Sequence, residues 1–173
     1  MSTDTHADYR TMPPPADEFS GPFVLAHAID SAGFRYYWAT EGMPSSALPF
    51  APASDCMSLE KLLEHMSQLA GWMLVSLPGK ASVEGGNDSS DPRAHTLACL
   101  AACSANVRSM SAAELQSLVL TRGDDTLPIW NILNGPVADF LTHVGQVATW
   151  RRLAGCPAPA PRYLDGLGPA DQS

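Results

Sequence analysis

Asp139 and His143 are four residues apart in a run that reads as helical, 127–154. On a helix, positions i and i+4 share a face with their β-carbons about 5–6 Å apart. A carboxylate and an imidazole at that spacing can reach one ion. His65 lies in a second helical run, 58–77, beside apolar neighbours, and a third ligand from another helix would complete a set at Asp139 and His143. Two histidines and one carboxylate make a facial set that leaves positions open for water or substrate. Gln146 and Trp150 continue the Asp139–His143 face by about one and two turns. Spacing alone leaves a plainer reading open: a hydrogen-bonded Asp–His pair, with His65 a satisfied core histidine.

A competing constellation is His95, Cys99 and Cys103, at i, i+4 and i+8. Cysteine and histidine at such spacing suit soft metals, and a CxxxC pair can be redox-active. From first to last, however, the three span about 12 Å along a straight helix, too far for all to bind one ion. The flanking LACLAAC, 97–103, reads as core, where free cysteine behaves as a small apolar residue. His6 needs no role, and His27 reads as a boundary residue of the first helix. The aromatic cluster Tyr36, Tyr37 and Trp38 reads as core, Arg35 as a partner for a carboxylate between helices, and Arg151 and Arg152 as cations offsetting a helix dipole. The sequence has no Gly-rich phosphate loop, paired CxxC array, GxSxG elbow or HExxH motif.

The elements that must position these groups are helical. Residues 21–42 open with Pro22 and close at Gly42; 58–77 has Ser58 as N-cap and Pro78-Gly79 as its stop. A third helix covers about 94–109, after a long loop at 78–93. Ser111 and Glu114 make a capping-box pattern for a short extra helix. Residues 121–126 form a turn, and the last helix follows, kinked at Pro136 or divided there with Asn134 as a cap. No segment alternates with a period of two. The expectation is an all-α fold, a four-helix bundle with a short extra helix and a Pro-rich C-terminal tail. Residues 1–19, with prolines at 13–15, read as a flexible N-terminal arm, 20–157 as the bundle and 158–173 as the tail.

The 173 residues suit one domain, and 45% apolar content is enough to fill a core. Ten Lys and Arg against 18 Asp and Glu leave a net charge of −8, which argues against nucleic-acid partners and anionic membrane surfaces. No run approaches the ~20 apolar residues of a membrane helix, and the polar, acidic N-terminus does not read as a signal peptide. A cytoplasmic location is expected, with Cys56, Cys99, Cys103 and Cys156 as free thiols.

FRYYWATEGM (34–43), the EHM around His65 and WNILNGPVADFLTHVGQVATWRRLAGCP (130–157) together resemble the DinB/YfiT-like family. The resemblance covers roughly 20–160 and is strongest over 130–157. It implies a four-helix bundle carrying a divalent metal near one end. The family's last core helix commonly has a His-xxx-His pair followed by Gly-Gln. Here His143-Val-Gly-Gln146 matches the second histidine and its sequel, and Asp139 replaces the first. One branch carries this Asp in the wording NGP-x-AD-xxx-HVGQ, followed by a double arginine. His65 falls where the family's helix-two ligand sits.

The implied metal ligands are therefore His65, Asp139 and His143, with Gln146 and Glu41 as supporting partners. The oxygen ligand moves preference toward Zn, Ni, Mn or Fe. The implied activity is that of a metal-dependent hydrolase or a low-molecular-weight-thiol S-transferase, acting on a small-molecule substrate or thiol. The alternative is a non-catalytic dimeric binding or stress-associated module with a vestigial metal site. Apolar helix faces beyond the needs of one small core favour a homodimer.

Overall fold

Pro22 at the first turn pre-sets the backbone for α1 (Gly21–Thr40), and Gly42, at φ +61°, follows its end. The structure, a computed structural model, describes residues 8–83 and 91–170. His6 and the middle of the long loop lie outside the described residues. α2 (Leu59–Ser76) starts where Ser58 Oγ accepts from the Lys61 amide at 3.3 Å. α3 (Pro92–Arg108) starts two residues earlier than the expected 94, because Asp91 caps the Ala94 amide at 3.0 Å and Pro92 takes the first turn. α4 (Ala112–Ser117) carries both bonds of the expected capping box.

The 121–126 turn is the tip of a two-stranded hairpin, β1 (Val119–Arg122) and β2 (Asp125–Pro128), which the sequence reading left out. Gly123 supplies φ +59° at the first of two loop residues, as a type II′ connection requires. Four-residue strands are too short for alternation to show. The last helix therefore begins after the hairpin, near 131, and not at 127.

Pro136 does not divide that helix. It sits in a π turn, Leu133–Val137, that runs directly into α5 (Ala138–Leu153). Proline has no N–H and crowds the preceding turn, and a wider turn absorbs both. The Ala138 amide reaches back five residues to the Leu133 carbonyl, while Asn134 caps nothing.

The fold is mostly helical. α1 and α2 each pack against both α3 and α5, so the four long helices enclose one core. Leu62, Met66, Leu100, Phe140 and Val147 are fully buried in it. No helix among the described residues is long and apolar enough to cross a membrane.

The described part of the expected loose arm packs on α1 around Tyr9, and the tail lies on the surface of the same helix through Tyr163 and Gly168. Tyr9 is 1% exposed and lies where a Cβ on Gly33 would meet its ring, and its hydroxyl donates to Asp30 Oδ1 at 3.3 Å. Burial, then the nearby Asp30 charge, holds the Tyr9 hydroxyl well above the usual tyrosine range. Arg108 Nη2 meets Asp30 Oδ2 at 2.7 Å, so the buried carboxylate is paired. The Met12 amide donates to the Gly166 carbonyl, joining arm to tail. Arg35 meets no carboxylate; its guanidinium lies over the Tyr163 ring of the tail, 4.5 Å from the centroid.

Arg151 does more than offset a dipole. It is 2% exposed and donates to the carbonyls of Ala39 (2.9 Å), Glu41 (2.8 Å) and Cys156 (2.9 Å). It thus satisfies acceptors that the end of α1 leaves without helical partners. Arg151→Ala is expected to lower stability by about 3 kcal/mol, since it strands buried carbonyls bonded to a charged donor. Arg151→Lys should recover only part of that, having no fork. Urea unfolding followed by tryptophan fluorescence measures both.

Candidate metal centre

α2 and α5 lie side by side, and their seam brings His65 to Asp139 and His143. Leu62, Leu63 and Met66 bury one side of α2, which leaves His65 at the boundary. Phe140, Val144 and Val147 do the same for α5. The π turn adds one residue to the helical path just before Asp139. At 3.6 residues per turn, that rotates everything after it by roughly 100° relative to the preceding turn.

One ligand atom from each of the three side chains lies within 4.8 Å of the other two. His143 Nε2 is 3.4 Å from Asp139 Oδ1, and His65 Nε2 is 3.9 Å from Asp139 Oδ2. The two imidazole rings meet edge to face, with centroids 4.9 Å apart. Two ligands on a tetrahedral ion, at bond lengths of 2.0–2.1 Å, sit about 3.3 Å apart. The Asp139–His143 separation is already about that value, the His65–Asp139 separation is about 0.6 Å wider, and no pair needs to close by more than about 1.5 Å. Both contacts are too long or too poorly aligned for hydrogen bonds, and each is an ion pair whenever its imidazole is protonated.

Gln146, one turn beyond His143, sets the tautomer. Its Oε1 accepts from His143 Nδ1 at 2.7 Å. Nδ1 therefore carries a proton, and in the neutral ring Nε2 is left with a lone pair on the side of Asp139. His143 is also the most enclosed of the three side chains, 12% exposed against 40% for His65 and 49% for Asp139. One side of the group is thus open to incoming ligands.

A groove of about 850 Å³ between α2, the hairpin and the π turn has Asp139 on its wall, and Asp139 is the one member of the group that lines it. The groove is also lined by Trp72, Arg122 and Asn131, none of which the sequence reading singled out. Only Gly123 after a β-prone Val-Leu-Thr run could have signalled the hairpin that carries Arg122.

Glu41 is not brought to this group. It pairs with Arg93 of α3 at 2.5 Å, and its carbonyl binds Arg151, which is about 18 Å along α5 from Asp139. The His95, Cys99 and Cys103 set does not converge either. His95 Nδ1 lies 2.8 Å from Ser67 Oγ and Nε2 lies 3.4 Å from Cys99 Sγ, all within the core. Burial pushes the Cys99 thiol up to about 11, and burial with Cys99 nearby raises Cys103 further. His27 is exposed on α1, and Trp150 packs half-buried against the core.

Comparison with protein families, with curated proteins and with solved structures finds no match. The site therefore has to be read from its own geometry: a His65, Asp139 and His143 group that could bind a metal ion.

Gln146→Leu keeps the helix but frees the ring and the tautomer of His143. A 10–100-fold loss of Zn²⁺ affinity is expected, measured by competition with a chromophoric chelator. Iodoacetamide at pH 8 should label exposed Cys56 in the native protein. Cys99 and Cys103, with almost no thiolate at that pH, should react only after unfolding, as read by mass spectrometry.

Proposed function

We propose that the chain is a metal-dependent enzyme built as a DinB/YfiT-like four-helix bundle, a hydrolase or a low-molecular-weight-thiol S-transferase. The observation that carries this reading is the mutual approach of His65, Asp139 and His143 without hydrogen bonds between them. The stretch 130–157 that resembles the family is also the stretch that supplies two of the three ligands.

A divalent cation bound here supplies Lewis acidity, lowering the pKa of a bound water or thiol so that it attacks at neutral pH. The chain's own contribution is placement. Gln146 holds the His143 proton on Nδ1, Asp139 brings the negative charge that offsets part of the cation's, and the half-exposed side leaves room for substrate. One oxygen and two nitrogen donors favour Zn, Ni, Mn or Fe over the soft metals that thiolate sites select.

Metal analysis of the protein purified without chelator tests this. About one ion per chain is expected, with loss of binding in His143→Ala and weakening on acidification as protons compete for the imidazole nitrogens. Unchanged stoichiometry in His143→Ala would remove the reading. Ester hydrolysis and thiol transfer to an electrophile, each assayed with and without the ion, separate the two chemistries.

A second reading, a non-catalytic homodimeric module, draws on a different surface. Phe19 is 94% and Trp130 is 72% exposed beside an apolar depression between the start of α1 and the π turn. Sedimentation of Trp130→Ser against the parent protein tests it: a shift from dimer to monomer supports it, and a monomeric parent ends it.

A further inference from the structure

The groove beside the metal group has a chemical character of its own. Leu120 and Leu127 face each other across the hairpin in register and, with Trp72 of α2, give it an apolar wall. Arg122 is the one cation on that wall among the described residues. It is exposed, and although Asp125 stands opposite it in the ladder, no ion pair or hydrogen bond engages the guanidinium. Asn131 and Asn134 line the same groove, and neither side chain has a hydrogen-bond partner among the described residues. Three polar side chains, Arg122 and Asn134 exposed and Asn131 half-buried, thus lie along a largely apolar groove that Asp139 also lines.

Unpartnered polar groups set in an apolar concave surface fix the orientation of a small ligand. A guanidinium fork matches a carboxylate or another planar oxyanion. The only carboxylate lining the groove is Asp139, whose charge a bound cation would offset, so the groove would then be positive overall in a chain of net charge −8.

We infer that the groove between α2, the hairpin and the π turn binds an amphipathic anionic small molecule. Its carboxylate pairs with Arg122, its apolar body lies along Trp72, Leu120 and Leu127, and its reacting end is delivered to the metal group. The delivery step rests on the function proposed above; recognition of the anion by Arg122 does not.

The test titrates 4-(mercaptomethyl)benzoate and its uncharged amide into the protein by calorimetry, under reducing conditions, both metal-free and Zn²⁺-loaded. The acid is expected to bind about tenfold more tightly than the amide in both states. Arg122→Gln, an exposed substitution with no hydrogen bond to lose, should erase that preference, and Trp72→Ala should weaken acid and amide alike. Zn²⁺ should tighten both compounds through the thiol. Equal binding of acid and amide, absence of binding by either, or a preference that survives Arg122→Gln overturns the inference. An acid preference without tightening by Zn²⁺ leaves the Arg122 recognition standing and removes the metal-dependent reading. Tightening by Zn²⁺ without an acid preference does the reverse.

Discussion

A carboxylate and two imidazoles meet at the α2–α5 seam, with His143 3.4 Å and His65 3.9 Å from Asp139. Good hydrogen bonds between such groups are shorter than 3 Å and well aligned, and these are neither. Water reaches Asp139 and His65, so desolvation costs little, but water imposes no particular orientation on them. Orientation comes from the chain: the π turn sets the rotation of α5, and Gln146 holds the His143 ring. A cation at the centre gives all three ligand atoms one partner at once. No ring of the site is held by Asp139 itself, which leaves its oxygens free for coordination.

Most of the polar interactions that hold the fold are made away from this seam. Arg151 ties the far end of α5 to the end of α1, and Asp30, Arg108 and Tyr9 bind the arm and α3 to α1. The His95–Ser67–Cys99 contacts join α2 to α3 inside the core. Each is a buried polar group with a partner, which is the condition for polarity to be tolerated there. The His65, Asp139 and His143 group differs in being partly exposed and linked within itself only by the longer contacts of 3.4 and 3.9 Å. Substitutions at these three residues should therefore disturb the fold less than substitutions at Arg151 or Asp30.

What the sequence showed depended on how local the cause was. Caps at Ser58 and Ser111 and the i,i+4 pair Asp139–His143 lie within one or two turns, and each appears in the structure as read. Gln146 also follows from helical spacing. His65 required the apolar stripe of α2 and the family resemblance together. Burial of Tyr9 was not legible, because its seat is Gly33, far along the chain, and a proline triplet lies between them. The hairpin failed for a different reason: its strands are too short to show a period, and its neighbours 129–134 are apolar enough to read as helix. With the hairpin went the groove, since Arg122, Leu120 and Leu127 have no meaning for a site until β1 and β2 are folded against α2. Glu41 was assigned by its place at the end of the first helix and Arg35 by its charge, yet Arg93 and Tyr163 claim them, partners whose position depends on tertiary packing.

Net charge and local charge act at different ranges in this molecule. At physiological ionic strength, the Debye length is about 8 Å, so the −8 of the whole chain is felt as a diffuse repulsion by an approaching anion. Long-range steering, which speeds association when a cleft and its ligand carry opposite charge, is therefore missing. An anion that does reach the groove meets Arg122 at contact distance, where screening is weak and the apolar wall excludes water on one side. Recognition here is accordingly a matter of retention rather than capture: an ordinary association rate, with selectivity carried in dissociation. The same local sign also matters for the ion. With Arg122 on the wall and two neutral imidazoles as ligands, Asp139 is the only negative charge among the ligands, so replacing it would leave any cation there held by nitrogen lone pairs alone. That makes the carboxylate, the most exposed of the three ligands, the one on which both the cation's affinity and its residual positive charge depend.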